Sequence, residues 1–437
     1  MAYPKPDTGT RRDRTVIIVA IVLSLLLVGA CFAVPYLLTS GDSSSESGRE
    51  TDTSAATAAD EEDVELEQFL GDSSSYMDAQ DIVEDNYVEE VSGDELLYAG
   101  ARGIRRMSEQ GADEEVLVDR GITAMIDSLD DPHSSFMSAE ELTALDTQLS
   151  GRLSGIGVAM ETVKNEIRVV KVLEGTPAQE VGIQDGDIVK EVDGMDVTGM
   201  EISEVVTYIR GSEGTTVKVG IVRPPSSDIK YFDIVRREIE IPVVETEMKE
   251  GGVGYLRVTD WTADVDQKIS SALADLQGQG ARSLIIDLRA NPGGYMEPAI
   301  RAADMFLRDG IIVSSRGRIA GVDKEYTADG EVQWDLPVTI LVDRGTASSS
   351  EIFSAALREN DRCTLVGATT FGKGSIQKIF RQDDGTGLRL TIARYYTPSG
   401  ISIDDEGITP DVLVSNPVVG EQDLQLDKAV EIAASGV

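Results

Sequence analysis

The sequence predicts a multidomain chain of mixed α/β and α+β character: an N-terminal transmembrane helix, a helical segment, a small β-domain and an α/β core. Three observations predict it. Residues 16–38 carry no charged side chain. Near residue 150 the apolar pattern changes from helical spacing to short runs set off by glycines. Beyond about residue 229, continuous apolar runs such as Ser283 to Asp287 and Val338 to Val342 alternate with amphipathic stretches, as strands buried on both faces by helices do.

A chain of 437 residues has room for two or three domains. Its 39 basic and 78 acidic residues leave a net charge of −39, which excludes nucleic-acid binding through a basic face and predicts a solvated acidic exterior. Cys31 lies in the hydrophobic segment, so Cys31 and Cys363 make no disulfide framework. With a single histidine and no cysteine cluster, a zinc site is not expected.

Residues 1–14 carry Lys5, Arg11, Arg12 and Arg14 and read as a cytoplasmic tail. The span that follows (15–39, with its uncharged part from Val16 to Leu38) is long enough as a helix to cross a ~30 Å bilayer core. The basic flank before it and acidic residues after it place the bulk of the chain outside the cell membrane. A cleaved signal peptide would have a shorter apolar region. Lipidation at Cys31 conflicts with the apolar run that continues through Leu38. Residues 40–63 are acidic and rich in serine, threonine and alanine, and are expected to be a disordered linker.

From 64 to 149 apolar residues recur at helical spacing, broken at Asp130-Asp131-Pro132-His133. His133 is read there as a polar surface residue of a turn. The segment 150–226 has short strands and one helix near Glu201 to Ile209. A glycine-flanked loop, Gly155-Ile156-Gly157, leads into a strand opening at Val158. Such an edge strand can accept an extended peptide, and free N–H groups in the loop can hold a terminal carboxylate.

Within the core, 227–437, two turns stand out. Val338 to Val342 runs into Gly345-Thr346-Ala347-Ser348-Ser349-Ser350, followed by a helix with Ile352, Phe353, Ala356 and Leu357 on one face. A hydroxyl at a strand-to-helix turn is presented outward beside the free N–H groups of a helix start. The strand Ser283 to Asp287 ends in Leu288 to Gly294, where Gly293-Gly294 lets backbone N–H groups approach a ligand. Both turns are expected at one edge of a parallel sheet. Gly293, Gly294 and Ser349 are thus candidate oxyanion donors. Lys373, between two glycines in Phe371-Gly372-Lys373-Gly374, is a candidate for a desolvated, neutral amine, with Phe371 and Ile376 as its apolar surroundings. In an extended segment Lys373, Ser375 and Gln377 share a face, so Gln377 could accept a hydrogen bond from the amine. Glu351 is expected near the helix start, complementing the dipole. With His133 the sole imidazole, a serine–lysine pair is the alternative to histidine chemistry.

Two resemblances follow. Residues 150–226, including SGIGV (154–158) and VLEGTPAQEVGIQDGDIVKEVDG (172–194), resemble a PDZ domain. That implies capture of a polypeptide C-terminus over Gly155, Ile156, Gly157 and Val158, with Val205 and Val206 lining the pocket. The whole set LDDPHSSF (129–136), SGIGV, DLRANPGG (287–294), GTASSSEI (345–352), FGKGSIQ (371–377), YYTPSGISI (395–403) and DLQLDKAV (423–430) resembles the C-terminal processing (tail-specific) serine peptidases. The family's nucleophile motif usually reads GSASASE, so Thr346 and Ser349 depart from it and leave three adjacent serines. Register then selects Ser348 as nucleophile, with Lys373 as general base and Gln377 orienting the lysine. The resemblance implies a ClpP/crotonase-like core and a serine endopeptidase without metal or organic cofactor. It also implies partners that are protein or peptide substrates, and leaves the oligomeric state open. The competing reading is a non-catalytic PDZ scaffold with a relic protease domain. A histidine-dependent PDZ protease would need its catalytic histidine in a domain ahead of the PDZ. The charged stretch Arg105 to Val118 is longer than the family often has.

Overall fold

The computed structural model describes residues 63–416 and 422–435. The expectations for the tail, the transmembrane span and most of the linker fall on 1–62, outside the described residues. Among the described residues no helix is long and apolar enough to cross a membrane. The chain divides into two compact units, one over Arg152–Ile241 and the other containing the rest of the described chain.

The larger unit opens with a helical stretch at 63–71, then α1 (Ser74–Asn86), α2 (Gly93–Glu109) and α3 (Glu114–Asp127). The stretch Arg105 to Val118 is the hairpin between α2 and α3. Leu70, Tyr76, Val83, Ile104, Ile122 and Met125 make the core of these helices, and the buried Tyr76 hydroxyl donates to the carbonyl of Leu96 at 2.8 Å. A short strand, β1 (Ser135–Met137), follows the Asp-Pro-His turn, and α4 (Ala139–Ser150) starts at a capping box between Ser138 and Glu141. The helical segment therefore also holds a strand.

The smaller unit contains β2 (Arg152–Gly155), β3 (Val158–Val163), β4 (Glu166–Val172), α5 (Pro177–Val181), β5 (Ile188–Val192), β6 (Met195–Asp196), α6 (Ile202–Ile209), β7 (Thr216–Val222), β8 (Ile229–Val235) and β9 (Arg237–Glu240). Its main sheet has the order β3-β4-β5-β7-β8, so β3 is an edge strand. The unit runs to Ile241 rather than ending near 226, because β8 pairs with β7 along its whole length, from Thr216↔Val235 to Val222↔Ile229. Ile167, Val189, Val205, Val217 and Ile234 are among its core residues.

The larger unit resumes with β10 (Val244–Lys249), β11 (Val253–Val258), α7 (Val265–Gly278), β12 (Ser283–Asp287), α8 (Met296–Asp304), β13 (Ile311–Arg316), β14 (Lys324–Thr327), β15 (Val338–Val342), α9 (Ser349–Glu359), β16 (Thr364–Gly367), β17 (Ser375–Arg381), β18 (Gly387–Tyr396), β19 (Val412–Leu413) and α10 (Leu424–Ser435). One sheet has the order β10-β11-β12-β15-β16-β19, parallel except for β10. Its strands are buried on both faces: Leu284, Ile286 and Ile340 join the cluster holding Ile269, Ala299 and Phe353, while Ile285, Leu341 and Val366 meet Ala429 and Ala433 of α10. That explains why β12 and β15 read as unbroken apolar runs. A second sheet, β1-β18-β13-β14 with β17 also on β18, ties the helices to the core, since Leu388 and Leu390 of β18 pack among the helical side chains.

Candidate active site

The carboxyl ends of β12 and β15 bring the two expected turns together. Ala347 N–H donates to the Asn291 carbonyl at 3.0 Å, and a Cβ placed on Gly293 would stand 2.8 Å from the Cβ of Ser348. Ser348 has φ 54° and ψ −118°, a conformation that non-glycine residues adopt only when the surroundings enforce it. Such an elbow between strand and helix projects its side chain outward.

The three serines separate by environment. Ser348 is half-buried at the apex, whereas Ser349 and Ser350 are buried. The Ser349 hydroxyl donates to the Gly294 carbonyl at 2.9 Å. The Ser350 hydroxyl accepts from the indole of the buried Trp261 at 2.8 Å and donates to the Asn291 carbonyl at 3.2 Å. Ser349 and Ser350 thus hold the Gly-Gly turn, which leaves Ser348 as the presented hydroxyl.

Of the expected oxyanion donors, Gly293 is already engaged: its N–H donates to Asn291 Oδ1 at 3.0 Å. The side chain of Asn291 is fixed in turn by donating to the Val258 carbonyl at 2.9 Å. Among the described residues no acceptor takes the N–H of Gly294 or Ser349. Both glycines are required sterically: Gly293 and Gly294 have φ +105° and +144°, and a Cβ on Gly294 would meet the Trp261 carbonyl oxygen at 2.4 Å.

Glu351 joins the serine turn to the lysine turn. Its carboxylate is fully buried and accepts from the N–H of Ser348 at 2.8 Å, Gly372 at 2.8 Å and Lys373 at 3.0 Å, and from the Thr370 hydroxyl. One oxygen, Oε2, serves both Ser348 and Lys373. Glu351 is at the helix start as expected, but its second task, holding the lysine turn, was not readable from local spacing. Burial raises its pKa, against the hydrogen bonds that stabilise the charge. The buried Tyr395 adds a second tie: its hydroxyl donates to the carbonyls of Ser348 and Lys373.

Lys373 is half-buried, and desolvation, aided by the positive charge of Arg389, lowers its pKa to about 8, against the pull of Asp131, Glu351 and Asp404. At pH 7 about a tenth of it is neutral, against well under a thousandth for an ordinary lysine. The enclosure differs from the expected one. Phe371 is 59% exposed and gives no cover. Lys373 precedes β17, held in an irregular turn by Glu351, and β17 itself shifts register between Ile376 and Gln377, so the regular alternation of an extended strand does not run from Lys373 to Gln377. The Gln377 amide nitrogen donates to Ser375 Oγ at 2.8 Å and Thr391 Oγ1 at 3.2 Å. Among the described residues no hydrogen bond joins it to Lys373; its carbonyl oxygen is the atom left to accept from the amine.

His133 is another correction. It is half-buried rather than a plain surface residue, and burial together with the charge of Lys373 lowers its pKa. Its turn is fastened near the site: Asp131 accepts from the His133 N–H at 2.9 Å and the Ser134 hydroxyl at 2.6 Å, and Ser134 Oγ accepts from the Thr391 N–H at 3.0 Å. Among the described residues no cluster of side chains could hold a metal ion.

In the smaller unit, Gly155 and Ile156 are buried, Gly157 has φ +86°, and Val158 opens the edge strand β3. Thr176 packs where a Cβ on Gly157 would fall, 2.3 Å from its own Cβ. Val205 is fully buried in the domain core, so of the pair on α6 it is Val206 that keeps accessible surface.

A presented serine at a strained elbow, two free N–H donors and a lysine of depressed pKa define a serine-type peptidase. The comparisons agree. Residues 252–414 match the model of peptidase family S41, and residues 168–223 that of the PDZ domain. The carboxy-terminal-processing protease of Bartonella bacilliformis is 37% identical over 311 residues, covering 70% of this chain and 71% of that protein. The carboxyl-terminal-processing protease of Synechocystis is 34% identical over 328 residues, covering 72% and 77%. Carboxy-terminal processing protease CtpA of Bacillus subtilis is 37% identical over 308 residues, and the match spans 66% of its length. Among solved structures, the photosystem II D1 C-terminal processing protease superposes with a TM-score of 0.50 at 26% identity, covering 84% of this chain and 97% of that one. The chain belongs to peptidase family S41, the carboxyl-terminal processing proteases.

Proposed function

We propose that the protein is a membrane-anchored endopeptidase, acting outside the cytoplasm, that captures the C-terminal tails of protein substrates on its PDZ domain and cleaves them through an acyl-enzyme. The observation that carries the reading is the joining of the Ser348 elbow and the Lys373 turn by a single Glu351 carboxylate, with Lys373 tuned to about 8. Ser348 Oγ attacks the peptide carbonyl while its proton passes to the neutral Lys373 amine. The developing oxyanion is stabilised by the N–H groups of Gly294 and Ser349. Lys373 then gives the proton to the leaving amine, whose C–N bond breaks. In the second half water attacks the acyl-enzyme, yields its proton to Lys373, and Ser348 is regenerated. Gln377 steers the amine through its carbonyl oxygen. The uncharged span 16–38 behind a basic flank supports the anchor, and the edge strand β3 beside the Gly155-Ile156-Gly157 loop supports tail capture.

The test is digestion of an unfolded, tagged protein by the full-length enzyme and its Ser348→Ala variant, with the substrate tail as free acid or amide. Cleavage that needs Ser348 and favours the acid is expected. Cleavage by Ser348→Ala would overturn the nucleophile, and equal cleavage of acid and amide would remove tail reading.

A further inference from the structure

Arg389 is half-buried in β18, yet among the described residues it makes no hydrogen bond and no ion pair. Its Nε is enclosed without an acceptor, so accessible surface is left to the two terminal nitrogens. Enclosed guanidinium groups are ordinarily spent on protein acceptors, and Arg236, Arg289 and Arg362 each donate to several. The two carboxylates whose charge attracts Arg389 are Asp131 and Glu141, and both are engaged elsewhere. Asp131 accepts from the His133 N–H and the Ser134 hydroxyl, and Glu141 from the N–H and hydroxyl of Ser138.

Strand register fixes where this free group points. Leu388 and Leu390 face the N-terminal helices, so Arg389 faces the other way, together with Gly387 and Thr391. On that face Thr391 Oγ1 accepts from the Gln377 amide at 3.2 Å, and a Cβ on Gly387 would meet the Leu142 side chain of α4 at 3.2 Å. Arg381 of β17 pairs with Asp146 of α4 at 2.6 Å, and α4 ends with Gln148 and Leu149 sharing a small cleft with Gly293 and Gly294. One wall, α4, therefore runs from the face of Arg389 to the oxyanion turn. An extended chain laid over Ser348 and along this wall passes the guanidinium within a few residues of the cut bond.

We infer that Arg389 is a specificity-determining residue that receives a substrate carboxylate within a few residues of the scissile bond. The inference rests on the Ser348 reading above. A carboxylate meets the two terminal nitrogens edge-on with opposite charge, a contact that an amide of the same shape does not reproduce. Two sources carry that group: an aspartate or glutamate side chain, and the α-carboxylate of a short tail.

The experiment uses the full-length enzyme and quenched, C-terminally amidated peptides that differ only by glutamate or glutamine at each position around the cleaved bond, assayed in competition. A second set, without internal acids, ends as free acid or amide at successive positions after that bond. At one position the glutamate or the free acid is expected to be favoured by roughly tenfold or more in kcat/KM, and the set that shows it names the source. Arg389→Gln is expected to bring this ratio near one, and Arg389→Lys to leave it in between. Each ratio is taken within one enzyme, so the influence of Arg389 on Lys373 cancels. A wild-type ratio near one at every position in both sets overturns the inference. So does a ratio that survives Arg389→Gln, which confines the guanidinium to its effect on Lys373. Affinities of the same pairs for Ser348→Ala, with and without Arg389→Gln, read the preference without turnover and decide the case if Arg389→Gln cleaves nothing. If Ser348→Ala still cleaves, the nucleophile assignment falls; if it is inactive and binds both members of every pair equally, only the Arg389 assignment falls.

Discussion

Replacing Lys373 with methionine should abolish cleavage and, at the same time, stabilise the protein near neutral pH. A lysine that titrates at about 8 instead of 10.5 carries its charge in the folded state at a cost of roughly 3 kcal/mol, at 1.36 kcal/mol per pH unit. The sign follows from proton binding. Between about 8 and 10.5 the unfolded chain holds a proton that the folded chain has released, so wild-type stability rises with pH across this window. Below 8 both states are protonated and the whole cost is present. Methionine keeps most of the side-chain volume and removes the charge. Urea unfolding of wild type and Lys373→Met at pH 7 and pH 10.5 is the assay. The variant is expected to be more stable by about 2–3 kcal/mol at pH 7, with the gap closing at the higher pH. In wild type, kcat/KM should rise with an acidic-limb midpoint near 8. A methionine variant no more stable than wild type, or a stability difference that ignores pH, would refute the claim that the site holds this lysine against its charge.

The two ties between the catalytic turns give further outcomes. Glu351→Gln places an amide against N–H groups of Ser348, Gly372 or Lys373, and should cost about 2–4 kcal/mol in unfolding free energy with a fall in kcat. An unchanged urea midpoint would contradict the bridging role. Tyr395→Phe removes the hydroxyl shared by the Ser348 and Lys373 carbonyls and should lower kcat by roughly tenfold, about 1.4 kcal/mol, with KM held. A change confined to KM would place Tyr395 with substrate binding instead.

Much of this site could be read along the chain because its parts are local. A buried strand, a run of small hydroxylated residues and a helix occupy consecutive positions, so the Ser348 elbow is written in one stretch, and the same holds for Gly293-Gly294 after β12. What was not legible depends on residues distant in sequence. Asp131, Arg389 and Tyr395 reach Lys373 through the pairing of β1 and β17 with β18, and no periodicity signals which strands become neighbours. Phe371 illustrates the converse: an aromatic beside a lysine reads as cover, yet its backbone turn points it to solvent. An extended chain from Lys373 onward would set Gln377 on the amine's face, and Glu351 breaks that alternation by holding the lysine backbone in a turn.

Strand β18 has a consequence of its own. Along ten residues it lends Leu388 and Leu390 to the helices, Thr391 to the histidine turn and Tyr395 to the lysine turn. Loosening the N-terminal helices would therefore slacken the Lys373 turn before it disturbed the central sheet. A partner or protease acting on that distant face could silence the enzyme without coming near its serine.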